Sequence, residues 1–134
     1  MLRTRSAGAM LAVLVSLAGC GGAAKIGLPP GFPSDVPVPE GAVLRTARDL
    51  GKRGQTVVFE SREGVRPLAG RLGERLRAAG WSVMSEAVVD AAVFSSWRKG
   101  ERSVAFGVSE SGGVTLVGIS VVERPFNEWE EVRG

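Results

Sequence analysis

The chain has 134 residues, 44% of them hydrophobic and 23% charged, which suffices for one small domain and falls short of two independent cores. Seventeen Lys and Arg stand against fourteen Asp and Glu, but Arg3 and Arg5 fall in a leader-like segment, and the rest of the chain is close to neutral. A scattered, balanced charge of this kind excludes the clustered basic surface that nucleic acids require. One cysteine forbids an internal disulfide, and the absence of histidine removes the usual proton shuttle and the usual metal ligand.

Met1 to Arg5 carries two arginines and no acid, and Ala7 to Leu17 is an apolar run, the layout of a bacterial export signal. It ends in Leu17-Ala18-Gly19-Cys20, which resembles the lipobox of bacterial lipoproteins. That resemblance implies cleavage before Cys20, diacylglyceryl modification of its thiol, and a membrane partner reached through the lipid on Cys20. Residues 1–19 are then the signal peptide. A transmembrane helix over Ser6 to Ala24 is the competing reading, but Gly19, Gly21, Gly22 and the alanines supply little transfer free energy. Two or three acyl chains anchor a protein stably where one does not. Gly21, rather than aspartate, follows the cysteine, so the resemblance points to the bacterial cell envelope at the outer membrane, facing the periplasm.

Residues 20–41 read as a lipidated cysteine and a Pro-rich tether, because Pro29, Pro30, Pro33, Pro37 and Pro39 forbid helix or a central strand and favour extended chain. Phe32, Val36 and Val38 recur between the prolines, the pattern of a lead-in that packs part of its length on the domain. Ser34 and Asp35 suit a turn start. The run Phe32 to Ala42, FPSDVPVPEGA, resembles the segment that precedes the first strand in small uncharacterised bacterial envelope lipoproteins, a group to which no activity attaches.

Residues 42–123 are expected to form an α+β domain. Ala42–Ala47 and Gln55–Glu60 alternate as two strands around a polar turn. Val65, Leu68, Leu72, Leu76 and Ala79 then recur at helical spacing, with Pro67 in the first turn and Gly80 as the stop. Trp81–Val89, Ala92–Arg98, Ser103–Ser109 and Val114–Val122 read as four more strands. The order β-β-α-β-β-β-β predicts an antiparallel sheet of about six strands with one amphipathic helix on one face. Leu76, Ala79, Gly80 and Trp81 match a helix-to-strand junction of the same lipoprotein-like group. Both faces of the last strand look apolar, which calls for a central position and a cover on the second face: the lead-in, the tail or a partner. Residues 124–134 form an acidic tail in which Phe126 and Trp129 either pack on the sheet or face a partner.

No catalytic set stands out. Ser95, Ser96 and Ser109 lack a histidine base, Lys25, Lys52 and Lys99 lie in tether or turns, and Glu60 with Glu63 carries no motif. No metal cluster, P-loop or dinucleotide fingerprint is present, so no cofactor is expected. Arg66, Arg71, Arg75 and Arg77 are spread around the helix as a solvated face rather than an anion site. Trp81, Trp97 and Phe106 are the candidate contacts with a ligand or partner, set against a plain core role. The expected protein is a non-enzymatic envelope lipoprotein that binds or supports another envelope component, an envelope protein among the candidates; the alternative is a carrier holding a small apolar ligand between helix and sheet.

Overall fold

A computed structural model describes residues 27–123. Six strands, β1 (Val43–Asp49), β2 (Gln55–Ser61), β3 (Ser82–Val89), β4 (Ala92–Lys99), β5 (Arg102–Ser111) and β6 (Val114–Val122), form one antiparallel sheet in the order β1-β2-β6-β5-β4-β3. One α-helix, α1 (Val65–Ala78), connects β2 to β3 across one face, and a 3-10 turn over Gly51–Arg53 links β1 to β2. This is the α+β architecture that the alternating and helical periodicities predict.

The helix forms where its apolar stripe can be covered. Leu68, Leu72 and Leu76 are buried, and Val65, Ala69 and Ala79 pack beside them. Pro67 stands in the first turn, where its missing N–H would have no intrahelical acceptor. At the other end Gly80 takes a φ of +96°, its N–H donates to the Arg77 carbonyl, and the Trp81 N–H donates to the Leu76 carbonyl, both at 3.0 Å. This paired 6→1 and 5→2 arrangement is a Schellman stop, and Leu76 and Trp81, both buried, supply its hydrophobic contact. The Leu-x-x-Ala-Gly-Trp junction thereby acquires a physical reason.

Contacts of α1 run to β3, β4 and β5, leaving the β1–β2–β6 half of the same face to be covered otherwise. The proline-rich lead-in does this. Val36 is buried in one cluster with Leu44, Val57, Val121 and the helix leucines, and Phe32 and Val38 pack against that cluster. Residues 29–42 therefore belong to the folded body, and any spacing role falls to the residues before them, of which 20–26 lie outside the described residues. The lead-in shares the helix side of the sheet and leaves the second face open.

That second face is not the apolar surface that β6 alone suggests. Across the sheet its rows read Val58, Gly118, Gly107, Phe94, Ala87 and Thr56, Ser120, Ala105, Ser96, Ser85. Small and hydroxylated residues dominate, and the apolar side chains of β6 on this side, Val114, Leu116 and Val122, are half-buried. A strand's own alternation cannot disclose this, because its lateral neighbours come from distant parts of the chain. The tail with Phe126 and Trp129 lies outside the described residues.

Candidate functional site

Trp81, Trp97 and Phe106 are only 3%, 1% and 4% exposed and belong to the core. Trp97 Nε1 donates to Ser95 Oγ at 2.9 Å, and the Arg77 guanidinium lies 5.2 Å from the Trp97 ring centre. The cleft between helix and sheet, lined by Leu72, Leu76, Trp97 and Phe106, has a volume of about 10 Å³. That is about one water molecule's worth of room. An apolar ligand there would require the helix to lift from the sheet. Cys20 lies outside the described residues.

Trp81 has a second role at the end of the sheet where the lead-in docks. Its Nε1 donates to the Asp35 carbonyl at 2.9 Å. The Asp35 carboxylate accepts two hydrogen bonds from the Arg102 guanidinium, both at 2.7 Å, and one from Lys99 Nζ at 2.8 Å. Arg102 also donates to Glu123, Lys99 to the Ala79 carbonyl, and both cations stand over the Trp81 ring. The bonds from Arg102, aided by Lys99, hold the Asp35 carboxyl well below the ordinary carboxylate range despite partial desolvation. In the sequence Asp35 has only the signature of a turn former. The companions that define its role come from 64 and 67 positions further along the chain.

Ser95, Ser96 and Lys99 are each engaged in hydrogen bonds within the domain. Ser96 shares a hydrogen bond with Ser85 at 2.6 Å, Ser95 accepts from Trp97, and Lys99 is committed to Asp35 and Ala79. Glu63 pairs with Arg71, and Glu60 pairs with Arg45 at 2.8 Å. Arg75 reaches the Val38 carbonyl and Glu40, so part of the basic helix face clamps the lead-in. Among the described residues no group of acidic or cysteine side chains could hold a metal ion, and no helix is long and apolar enough to cross a membrane.

The distinctive surface is the β3 edge. All eight residues of β3 are exposed, and Glu86 is its one charged side chain. The opposite edge, β1, carries Arg45, Arg48 and Asp49, the charges by which sheets discourage added strands. β3 has a bulge at Met84, and Glu86, beside Ser95 in the register, is the one charge along Ser85–Val89. Its register places Val83 and Val88 beside the inward-facing Trp97 and Val93, and Ala87 beside the outward-facing Phe94. Val83, Met84, Val88, Val89 and Phe94 are all exposed large apolar side chains. The Phe94 ring lies against Gly107, where a Cβ would come within 3.2 Å of it, and so fixes an aromatic plate beside the edge. Unpaired backbone groups flanked by apolar side chains on both faces offer a template for one more strand.

No protein-family model matches the chain, and no curated protein shows significant similarity to it.

Proposed function

We propose that this chain is a non-enzymatic bacterial envelope lipoprotein, anchored by acyl chains on Cys20, whose domain presents the β3 edge to an extended segment of another envelope protein. The lipobox-like Leu17-Ala18-Gly19-Cys20 behind an apolar run supports the anchoring half. The observation that carries the binding half is β3 itself, an edge strand exposed along its whole length with one charge in eight residues. A partner strand added there would satisfy the outer backbone groups of β3 and cover Val83 and Val88 on one face and Val89 and Phe94 on the other. An alternating or wholly apolar segment of about five to eight residues fits this template.

Two measurements test the halves separately. Growth of the native host with a radioactive fatty acid is expected to label the wild type and to leave Cys20→Ala unlabelled; equal label in both removes the anchoring half. A photo-crosslinking amino acid at position 84 or 88 is expected to capture a partner in living cells, whereas the same group at Arg66, on the exposed helix surface, captures none. Adducts of the same identity and yield at both places would refute the assignment of the β3 edge.

A further inference from the structure

A strand added to β3 would meet different chemistry on the two faces of the sheet. Trp97 and Val93, which point to the helix side, stand beside Val83 and Val88 in the register, and Ser95, between them, stands beside Glu86. Residues directly opposite each other point to the same face, so Val83, Glu86 and Val88 line the helix side of the edge. Val83 and Val88 are exposed apolar side chains, and Glu86 between them is the one charge of β3. Glu86 is also the exposed residue at the mouth of the narrow hollow between α1 and the sheet, where Ala69, Gly73 and Ser95 are half-buried and Val93 and Trp97 buried.

Among the described residues the Glu86 carboxylate joins no ion pair and accepts no hydrogen bond. The basic side chains of the elements around it are otherwise placed. Arg77 lies over the Trp97 ring, Arg98 donates to the Gly100 carbonyl, and Lys99 and Arg102 are bound to Asp35. Arg66 leaves α1 about 120° round the helix from the buried leucine stripe, toward solvent. Asp90, in the turn that follows β3, is a second acid. An added strand would bring a facing side chain within about 5 Å of Glu86 and displace water from its carboxylate. A facing acid would repel it, and a facing apolar residue would leave the charge partly desolvated without a partner. Lysine or arginine would neutralise it, with the aliphatic stem lying across the mouth of the hollow. A second copy of this chain is excluded on the same ground. Pairing β3 with β3 about a two-fold axis at Glu86 sets the two carboxylates face to face, and an axis at Ser85 or Ala87 sets each of them against Met84 or Val88.

We propose that Glu86 determines the specificity of the β3 edge: the extended segment bound there carries lysine or arginine facing Glu86, with apolar side chains two places to either side of it. The inference rests on the reading of β3 as a binding edge and adds the chemistry of the occupant. The main chain of the segment supplies the hydrogen bonds, which any sequence can make, and the apolar pair covers Val88 and reaches toward Val83. The basic residue decides which segment is taken. The same carboxylate that favours this partner discourages copies of the domain from joining edge to edge, as an inward-pointing charge on an edge strand does.

The test uses the chain from Gly21 to Gly134, which holds the lead-in and all of the folded body, labelled for NMR. It is titrated with three capped peptides, Thr-Val-Thr-X-Thr-Val-Thr with X as Lys, Gln or Glu, and binding is followed by the backbone amide shifts of Val83–Val89. The Lys peptide is expected to bind about three- to tenfold more tightly than the Glu peptide, with Gln between them. Glu86→Lys should reverse this order and Glu86→Gln should remove it, and salt at about 1 M should shrink the preference of the wild type. Equal affinities for the three peptides, or the same order in the wild type and in Glu86→Lys, would overturn the inference while leaving β3 as a binding edge. Amides of β3 that move with none of the peptides would remove the binding edge itself, and the inference with it.

Discussion

Replacing Asp35 with asparagine probes the contact that fastens the lead-in to the sheet. The substitution keeps the size of the side chain and removes the charge that accepts two bonds from Arg102 and one from Lys99. Bonds to a charged acceptor contribute about 1.5–3 kcal/mol each when water is excluded. The Asp35 side chain retains 27% exposure, and Arg102 keeps Glu123 as a partner, so the full sum does not apply. A loss of about 2–4 kcal/mol is expected, or roughly 10–20 °C in Tm for a domain of this size. Urea unfolding of a form lacking residues 1–20, followed by the fluorescence of buried Trp81 and Trp97, measures it directly. The pH dependence supplies a second reading. Folding depresses the Asp35 carboxyl below its unfolded value, about 3.9. Its contribution is therefore fully present above that value and is lost as pH falls from about 5 through the folded-state titration. Asp35→Asn should flatten this acid limb of the stability profile. An Asp35→Asn protein within about 0.5 kcal/mol of the wild type, with an unchanged acid limb, would refute the role given to this carboxylate.

Gly54 has a φ of +103°, and a Cβ there would collide with the Val121 carbonyl, so Gly54→Ala should cost more than about 2 kcal/mol by thermal unfolding. Ala91 sits at a φ of +68° in the two-residue β3–β4 turn; Ala91→Gly should therefore raise stability by about 1 kcal/mol by the same measurement. Leu72→Ala, at a position 3% exposed, is expected to cost about 2–5 kcal/mol in urea unfolding. Val88→Lys, 53% exposed on the β3 edge, should change stability by less than about 0.5 kcal/mol yet abolish photo-crosslinking from position 84 in cells.

Periodicity along the chain was sufficient for the six strands and the α-helix, though not for the 3-10 turn over Gly51–Arg53. Leu68, Leu72 and Leu76 recur at the helical repeat, Gly80 can adopt the left-handed conformation that stops the helix, and Val117, Ile119 and Val121 alternate as a strand must; each signal is carried by residues within a few positions of one another. The meaning of Asp35, of the second face of β6 and of β3 lay outside that range. Arg102 and Lys99 meet Asp35 only after the lead-in has folded onto the sheet, and Gly107 and Ser120 temper the outer face only once β5 and β6 lie side by side. β3 reads in sequence like any other strand. It becomes an open edge because the α1 crossover carries the chain past β6, β5 and β4 to the last position in the sheet, and no local pattern encodes which strand will be left without a neighbour.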